Sequence, residues 1–536
     1  MRSLPVQDAD QLLNEAIAQH QAGRLQKAQS LYDTVIALEP KNATAWINLG
    51  ATRRALGHIK EAVFASRRAV EIVPDQAGAW FNLGNALTEQ GEWQGASDAF
   101  NKAVQLEPDL IEAYVNWGDA LTRASNYDAA LEIFRLGLTR SPNHPGLLSN
   151  TGNVLLNLHC ITEALPFLVK AAEAMPNSAI AVRNLANAHR LSGDPALALT
   201  TLGPLLERDP IDADARCIRA FALFSLGNYA KAWPDYTMRW HSAHHETARP
   251  FKQPPWSGQS LRGKTILVWG EQAVGDEVMF GTMLSDLQSI GGNIIIETAY
   301  RLVPLFRRAF SQSEVLARTD PPDPNLFSER IDFQISIGDL GRYLRPKFSS
   351  FDKSHPYLLA DSGQTEALNI RYGSLAKGRK CVGISWRSGI EHAGIARSLD
   401  CQSLTKLLVR EDIWWLSLQY GDIDEDLAEL EKSGVSLPYV DRGVDPLKSM
   451  DDLAAQIKCL DLVISVANTT VHIAGALGIR TYALLPHIAD WRWQNEGEKC
   501  NWYPDVTLLR QTQPGEWSPV IDRLMQKLNK SSHELS

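Results

Sequence analysis

Apolar residues in the first half of the chain recur three and four positions apart, which is the spacing that forms one face of an amphipathic helix. The pattern repeats every 34 residues, and one proline per unit keeps this period: Pro40, Pro74, Pro108, Pro142, Pro176 and Pro210. Each unit predicts two helices joined by a turn. The proline ends the second helix because it cannot continue the helical hydrogen-bond ladder.

These units resemble the tetratricopeptide repeat, and about seven of them cover residues 9–244. We therefore expect residues 1–244 to form an α superhelix, a solenoid in which small residues such as Gly50 and Gly84 let the two helices of a unit approach closely. Stacked repeats create a concave surface that usually binds proteins. A passive scaffold is the alternative interpretation.

Asparagine occupies one position in six successive units: Asn14, Asn48, Asn82, Asn116, Asn150 and Asn184. Asparagine is not favoured inside helices because its side chain competes for backbone hydrogen bonds. A carboxamide both donates and accepts, so a row of them can hold the backbone of an extended polypeptide. The repeat arm of eukaryotic O-GlcNAc transferase, which this arm resembles, has such a row. We predict that the row binds a protein acceptor; the alternative is that it only bridges neighbouring repeats.

The second half of the chain has a different period. Residues 245–262 contain prolines and glycines without helical rhythm, which indicates a linker. Apolar runs of strand length then alternate with helical segments, first from "KTILVWG" and again from "KCVGISW". This βαβ pattern predicts an α/β domain of two Rossmann-like lobes, 263–375 and 376–536, with a last helix that returns across the domain. Ligands of such sheets bind beyond the carboxyl ends of the strands.

The stretch "VISVANTTVHIAGALG" predicts a strand followed directly by a helix. Asn468, Thr469 and Thr470 suit the start of that helix, where free N–H groups and the helix dipole favour an anion. His472 lies one turn further on and can reach a phosphate. A plain N-capped core helix is the alternative.

This stretch resembles the nucleotide-sugar segment of bacterial ADP-heptose heptosyltransferases, a GT-B family, in the version that is fused to tetratricopeptide repeats. The motifs "GEQAVGDE", "GISWRSG", "SLQYGD", "HIADWRW" and "NWYPDVTLLRQ" agree with it. The resemblance implies an acceptor-side lobe at 263–375 and a nucleotide-sugar lobe at 376–536. Two positions depart from the family pattern. Ala467 stands where the family has Asp, and His392 and Arg397 occur where it has a lysine after "SWRSG".

The N-terminal lobe carries "GEQAVGDE" after its first strand. Asp276 matches the aspartate that is the proposed general base of the heptosyltransferases, and a cleft carboxylate can take the proton of an acceptor hydroxyl. Gly275 is assigned to the donor side. Glu271 and Glu277 are rival bases, and capping of the following helix is the alternative role for Asp276.

The remaining predicted donor contacts lie in the C-terminal lobe. Arg387 and Ser388 follow a strand, and arginine suits a phosphate because its donors form a fork. Gln419 is expected to contact the nucleotide, and Trp491 to form a cleft wall unless it belongs to the core. No metal cluster and no cofactor are predicted, which fits the general metal independence that the GT-B resemblance implies.

Composition narrows the class of protein. The net charge is −9 and no basic stripe occurs, which argues against nucleic acid as a partner. Six cysteines lie far apart without a CxxC motif, so a reducing compartment is expected. We find no signal peptide and no run of apolar residues long enough to span a membrane, and therefore expect a cytoplasmic protein.

Together these features predict a bacterial protein O-glycosyltransferase that moves a sugar from a nucleotide-sugar donor to Ser/Thr of a polypeptide held by the arm. Flagellin is a plausible acceptor, because flagellin-modifying enzymes combine such an arm with such a domain, and a CMP-linked nonulosonic acid is a plausible donor. The alternatives are a transferase that acts on a lipid or lipopolysaccharide, and a non-catalytic repeat adaptor whose GT-B domain only binds.

Overall fold

The computed structural model describes residues 8–242, 247–389 and 392–533. Positions 245–246 of the predicted linker therefore lie outside the described residues. The chain divides into two compact units, Met1–Ala188 and His189–Ser536.

The first unit is built from helical pairs. Its helices are α1 (Ala9–Gln21), α2 (Leu25–Leu38), α3 (Ala43–Ala55), α4 (Ile59–Ile72), α5 (Ala77–Gln90), α6 (Trp93–Leu106), α7 (Ile111–Arg123), α8 (Tyr127–Arg140), α9 (Pro145–Asn157), α10 (Ile161–Ala174) and α11 (Ala179–Leu191), the last of which continues into the second unit. The prediction of a tetratricopeptide solenoid followed by an α/β domain is confirmed.

Two contacts explain why the repeat keeps its period. A Cβ atom on Gly84 would lie 2.6 Å from the Phe100 ring, so α5 and α6 pack too closely for any larger residue. The indole of Trp80 donates a hydrogen bond to the carbonyl of Pro74 at 2.8 Å, and Trp46 makes the equivalent bond at 2.9 Å. The proline that ends one repeat is thereby tied to the first helix of the next.

The second unit begins with the last repeats, which contain α12 (Pro195–Arg208), α13 (Ala213–Ser225), α14 (Tyr229–Tyr236) and a 3-10 helix, Thr237–His241. Their aromatic side chains share one core with the α/β residues. Trp233 is buried and donates to the carbonyl of Arg345 at 2.7 Å. The predicted boundary at 244/245 follows the repeat pattern. The compact units divide earlier, at 188/189, because this shared core joins the terminal repeat to the α/β lobes.

The N-terminal lobe has a parallel sheet in the order β3-β2-β1-β4, formed by β1 (Thr265–Trp269), β2 (Asn293–Thr298), β3 (Glu314–Ala317) and β4 (Phe333–Ser336). Its helices are α15 (Val274–Gly281), α16 (Leu284–Ile290), α17 (Val303–Ala309) and α18 (Gly341–Leu344), with short 3-10 turns at Tyr300–Leu302, Pro324–Phe327, Gly338–Leu340 and Phe348–Lys353. The end of the predicted linker is ordered: Trp256 donates its backbone N–H to Gln334 of β4 at 2.9 Å.

The C-terminal lobe has a parallel sheet in the order β6-β5-β7-β8-β9, formed by β5 (Lys380–Ser385), β6 (Ile413–Ser417), β7 (Leu462–Val466), β8 (Thr481–Leu485) and β9 (Val506–Arg510). Its helices are α19 (Ser362–Ala376), α20 (Cys401–Leu408), α21 (Asp424–Lys432), α22 (Met450–Lys458), α23 (Thr469–Ala476) and α24 (Ser518–His533), with 3-10 turns at His392–Arg397 and Trp491–Trp493. The strand order reverses between β5 and β7, where such sheets bind ligands.

The structure places two helices, α19 and α24, differently from the predicted lobes. The predicted division at 375/376 assigns α19 to the N-terminal lobe, but α19 packs against β5, β6 and α22. The helix α24 was expected to return across the domain. It packs instead on α20 and β9 of its own lobe, where the side chains of Val520 and Leu524 are fully buried.

No helix within the described ranges is both long enough and apolar enough to cross a membrane.

Candidate functional site

The turn between β1 and α15 places Asp276 in the first turn of α15. Gly270 is required at the start of this turn, since a Cβ atom there would lie 2.5 Å from a carboxylate oxygen of Glu277. Gln272 has a backbone φ of +59°, a left-handed conformation that non-glycine residues rarely adopt. The turn is therefore shaped by specific side-chain contacts.

Asp276 is paired with an arginine of the C-terminal lobe. Its Oδ1 accepts from Arg492 Nε at 2.7 Å and lies 2.6 Å from Arg492 Nη2. Arg492 Nη1 donates to Asp490 at 2.5 Å. Asp276 makes no capping bond to α15, so the alternative role as a helix cap is not seen. Its side chain keeps 13% of its surface exposed, and Oδ2 has no hydrogen bond from any described residue.

The two rival carboxylates are buried and bonded within the protein. Glu271 is 1% exposed, and it accepts from Arg239 at 2.6 and 2.8 Å and from the Gly338 N–H at 2.9 Å. Glu277 is fully buried and accepts from Thr298 and from the backbone N–H of Ala299. Burial raises the pKa of Glu277 to about 7. Asp276 is thus the carboxylate of this turn that a substrate can reach.

The start of α23 has the geometry that the sequence predicts. Asn468 caps the helix, because its side-chain oxygen accepts from the Thr470 N–H at 3.0 Å. Its side-chain nitrogen donates to Ser385 at 2.8 Å, so this amide is used within the protein. The Thr470 hydroxyl is fully buried and has no hydrogen-bond partner in the described structure. A buried hydroxyl without a partner is costly, so we expect a water molecule or a ligand to complete its hydrogen bonding.

His472 does not offer a charge to a phosphate. Burial, together with the nearby charge of Arg492, lowers its pKa to about 3, so the imidazole is neutral. It stacks on Trp493 at 5.1 Å, and its Nδ1 lies 3.1 Å from the Tyr503 hydroxyl. A Cβ atom on Gly275 would lie 3.2 Å from His472. Both residues therefore pack α15 against α23, and their assignment as donor contacts stays a prediction.

A small cavity of about 130 Å³ lies where the two helix starts meet. It is lined by Ala273 and Val274 before and in α15, by Thr469 and Thr470 of α23, and by Arg301. Arg301 is the only charged residue among the described residues that line the cavity. Two helix N-termini, an unpaired hydroxyl and a guanidinium make the cavity electrostatically suited to an anion.

A larger cavity of about 460 Å³ shares Tyr420, Pro446 and Leu447 with the small one. Its lining includes four carboxylates, contributed by Asp422, Asp424, Asp441 and Asp445, and one guanidinium, that of Arg442, which pairs with Asp424 at 3.0 Å. Carboxylates are hydrogen-bond acceptors for hydroxyl and amino groups. The two neighbouring cavities thus differ in charge, one favouring an anion and the other favouring donor groups.

Three other predicted donor residues make contacts within the protein. Gln419 accepts from the backbone N–H groups of Trp386 and Arg387 at 2.9 and 2.7 Å, and it donates to two carbonyls. Arg387 pairs with Asp426 at 3.3 Å and also binds the Asp422 carbonyl. Ser388 is buried, and its backbone N–H donates to Ser398. Gln419 therefore shapes the turn after β5, and Arg387 is turned towards carboxylates rather than towards the small cavity.

Trp491 lies in the core, which is the alternative that its sequence context leaves open, and its assignment as a donor contact stays a prediction. It is 3% exposed and stacks on Phe224 of the terminal repeat, with ring centroids 4.6 Å apart.

Two arginines of the site, Arg492 and Arg301, were not predicted from the sequence. Arg492 follows Trp491 in the same quoted motif, whereas no local pattern marks Arg301. Arg397 lies near the site, since its charge acts on Asp490. Burial alone would raise the pKa of Asp490, but the charges of Arg492 and Arg397 lower it.

The six asparagines share one structural position, the sixth residue of α1, α3, α5, α7, α9 and α11. The side chains of Asn48, Asn82 and Asn150 are partly exposed and form no hydrogen bond with a described residue. Asn116 donates to Asn85 of the preceding repeat at 2.8 Å. Bridging between repeats therefore occurs at one position, while these three carboxamides keep their donors and acceptors available.

Within the described residues, no group of three or more His, Cys, Asp or Glu side chains is arranged to hold a metal ion.

Family models match the repeats in three places: tetratricopeptide repeat at residues 19–83, TPR repeat at 84–125 and tetratricopeptide repeat at 183–236. The fold and the family-model matches together define a tetratricopeptide-repeat protein with a C-terminal α/β domain. The chain is 31% identical to protein FlbA of Caulobacter vibrioides over 404 residues, 72% of this chain and 67% of that protein. The chain belongs to the FlbA family. The aligned length exceeds the repeat region, so the similarity includes α/β residues.

Solved tetratricopeptide structures share the repeat fold. A protein from Parabacteroides merdae is 18% identical, with a TM-score of 0.37, and the match covers 43% of this chain and 91% of that one. YrrB, described as a TPR protein with an unusual peptide-binding site, is 24% identical with a TM-score of 0.30, and the match covers 33% and 90% of the two chains. These TM-scores are too low for either likeness to bear on function.

Proposed function

We propose that the chain is a GT-B-type protein O-glycosyltransferase, which transfers a sugar from a nucleotide-sugar to a Ser/Thr hydroxyl of a polypeptide. The small cavity carries this proposal. It combines the start of α23, the unpaired Thr470 hydroxyl and the Arg301 guanidinium at the carboxyl ends of parallel strands. An anion that leaves during group transfer is stabilised by such preorganised donors.

The two cavities suit the two parts of a nucleotide. The small one, with a volume of about 130 Å³, has room for a phosphate group. The larger one can take the nucleoside, since its carboxylates accept hydrogen bonds from ribose hydroxyls and base amino groups. A donor with a single phosphate, such as a CMP-linked nonulosonic acid, fits this arrangement.

Asp276 is the general base in this mechanism. Arg492 holds Oδ1, which leaves Oδ2 to take the proton of the acceptor hydroxyl. The hydroxyl oxygen then forms the new bond to the anomeric carbon of the sugar. The bond from that carbon to the phosphate oxygen breaks, and its electron pair leaves with the nucleotide. The leaving phosphate remains at the start of α23 and beside Arg301.

The repeat arm supports a protein as the acceptor. A lipid acceptor gives no reason for one partly exposed carboxamide at the same position of successive repeats, whereas a polypeptide backbone offers matching donors and acceptors. Flagellin is the acceptor that we propose to test first, because flagellin-modifying enzymes combine the same two parts.

The direct test is to incubate the purified chain with flagellin and a CMP-linked nonulosonic acid, and to measure the intact mass of flagellin. We expect a mass increase of one sugar residue or more. Asp276→Asn should reduce the rate by about 10²–10⁴-fold, the usual contribution of a general base. Asp505→Asn is the control, since Asp505 is exposed just before β9, at the opposite end of the sheet.

Donor binding has its own test. CMP should raise the melting temperature of the wild-type protein, and Thr470→Val should reduce that shift because it removes the unpaired hydroxyl. UDP and ADP serve as comparison nucleotides. A protein that transfers no sugar from any nucleotide-sugar, and whose melting temperature responds to none of these nucleotides, is not a glycosyltransferase.

A further inference from the structure

We propose that the terminal repeat positions the catalytic carboxylate. The Tyr236 hydroxyl holds Gln272, Gln272 holds Arg492, and Arg492 holds Asp276. This inference rests on the proposed function, because it gives the first three residues the task of placing the general base. Tyr236 and Gln272 touch neither substrate nor donor in this scheme, so they are positioning residues.

The chain of contacts is continuous. Gln272 Nε2 lies 2.5 Å from the Tyr236 hydroxyl, and Gln272 Oε1 accepts from Arg492 Nη2 at 3.4 Å. Arg492 then binds Asp276 Oδ1 through two nitrogens. The orientation of the Gln272 amide follows from its partners: its nitrogen also faces a Glu271 oxygen at 3.3 Å, and its oxygen faces a guanidinium. A flipped amide would place donor against donor.

A second contact from the terminal repeat holds the same turn. Arg239, in the 3-10 helix that follows α14, binds both oxygens of Glu271, the residue before Gln272. The left-handed backbone of Gln272 is unfavourable for a side-chain-bearing residue and persists only where its surroundings fix it. Tyr236 and Arg239 supply such surroundings on two consecutive residues. The strained turn is thus held by the repeat and carries Asp276 four residues beyond Gln272.

Arg492 lies between two carboxylates, and this makes its position sensitive. Asp490 binds Nη1 and Asp276 binds Nε and Nη2. The side-chain oxygen of Gln272, Oε1, is the neutral acceptor that holds Nη2 on the Asp276 side. If the Gln272 amide is released, the guanidinium can move towards Asp490, and Oδ2 of Asp276 loses its fixed direction. Small displacements of a reacting group reduce the rate of the chemical step more than they reduce binding.

Tyr236→Phe tests this inference, because it removes one hydroxyl and keeps the ring that packs on Phe224 and Trp233. With flagellin and a CMP-linked nonulosonic acid, we expect kcat to fall about ten- to a hundredfold while the donor KM stays unchanged. Tyr229→Phe is a matched control. Tyr229 lies in the same helix and is equally buried, and its hydroxyl accepts from Asn501 at 3.1 Å, away from Asp276. Its kcat should match that of the wild type.

Two further variants make the test independent of folding defects. Gln272→Gly removes the amide and suits the left-handed backbone, so it should fold and show the same loss of kcat. Combining Tyr236→Phe with Arg492→Lys should reduce kcat no further than Arg492→Lys alone, since both act through one chain of contacts.

The outcomes separate the inference from the proposed function. If the wild type transfers sugar and Tyr236→Phe has the same kcat as Tyr229→Phe, the inference is overturned and the proposed function stands. If the losses of kcat in Tyr236→Phe and Arg492→Lys simply multiply in the double variant, the inference is also overturned. If the wild type transfers no sugar, the proposed function fails and the inference falls with it.

Discussion

Replacing Arg239 by methionine should strongly destabilise the second unit. The side chains of Arg239 and Glu271 are each 1% exposed, and Arg239 donates to Glu271 at 2.6 and 2.8 Å and to Asp339 at 2.7 Å. Methionine keeps an unbranched apolar stem but no donor. Glu271 would then retain the Gly338 N–H and a long contact with Gln272, and it would remain buried without a cation.

The size of the effect follows from these contacts. Removing one partner of a buried ion pair costs about 3–5 kcal/mol. The guanidinium also lies over the rings of Tyr236 and Trp240, at 4.0 and 4.3 Å, and losing each cation–π contact adds about 0.5–1 kcal/mol. We therefore expect the free energy of unfolding of this unit to fall by roughly 4–7 kcal/mol. Adding Glu271→Gln should recover at least about 1 kcal/mol, because the unpaired charge is then gone.

Urea unfolding followed by tryptophan fluorescence measures this loss, and hydrogen exchange of peptides from β1 and β4 shows whether it is local to the turn. Arg330→Met is the matched control. Arg330 pairs with Glu314 at 2.7 Å, but the two side chains are 53% and 42% exposed, so its loss should cost at most about 1 kcal/mol. If Arg239→Met costs no more than this control, the buried network does not stabilise the unit as we argue.

Three further predictions concern pH, the repeat surface and helix packing. Burial raises the pKa of Glu277 to about 7, so the folded state binds an extra proton between about pH 4.5 and 7, and stability is lost as pH rises through that range. The stability of Glu277→Gln relative to wild type should therefore be greater at pH 8 than at pH 5. Melting temperatures that show no such trend would contradict this. Replacing Asn48, Asn82 and Asn150 together by alanine should raise the acceptor KM and leave the donor KM unchanged in the transfer assay, and an unchanged acceptor KM would mean that the row is only structural. Gly118→Ala should destabilise the protein by about 1–3 kcal/mol, because the new methyl group meets the Phe134 ring. Gly203→Ala, in helix α12 with open space around it, should stabilise the protein by about 0.5–1 kcal/mol. Melting temperatures that shift in the same direction for both variants would refute the packing argument.

The sequence pattern was sufficient to predict those elements that are determined by residues close together in the chain. The 34-residue period, the row of asparagines and the cap at Asn468 all depend on residues a few positions apart, and the structure shows them where the sequence predicts them. The turn that carries Asp276 was also found from sequence, since its strand, glycines and acidic residues are adjacent.

The partners of the site could not be predicted in the same way. Arg492 and Asp276 are separated by 216 residues, and Arg239 and Glu271 belong to parts of the chain with different periods. Gln419 and Trp491 are polar or aromatic residues in suitable places, but burial and prior hydrogen bonds decide their roles. For the same reason, the predicted boundary at 244/245 lies later in the chain than the division between the compact units at 188/189, because a repeat pattern does not reveal which core its last helices join.

The bond from Trp80 to the Pro74 carbonyl, and its equivalent at Trp46, limits how such an arm can evolve. An insertion or deletion of a few residues between the proline and the aromatic residue breaks the bond. The loss or duplication of a complete unit preserves every bond of this kind. Changes of length in whole repeats are therefore the least disruptive for these repeats, and a duplicated repeat that carries the asparagine adds one more in register. A lineage that needs to recognise a longer polypeptide can obtain that reach by one tandem duplication, which changes contacts only at the junction where the new repeat enters.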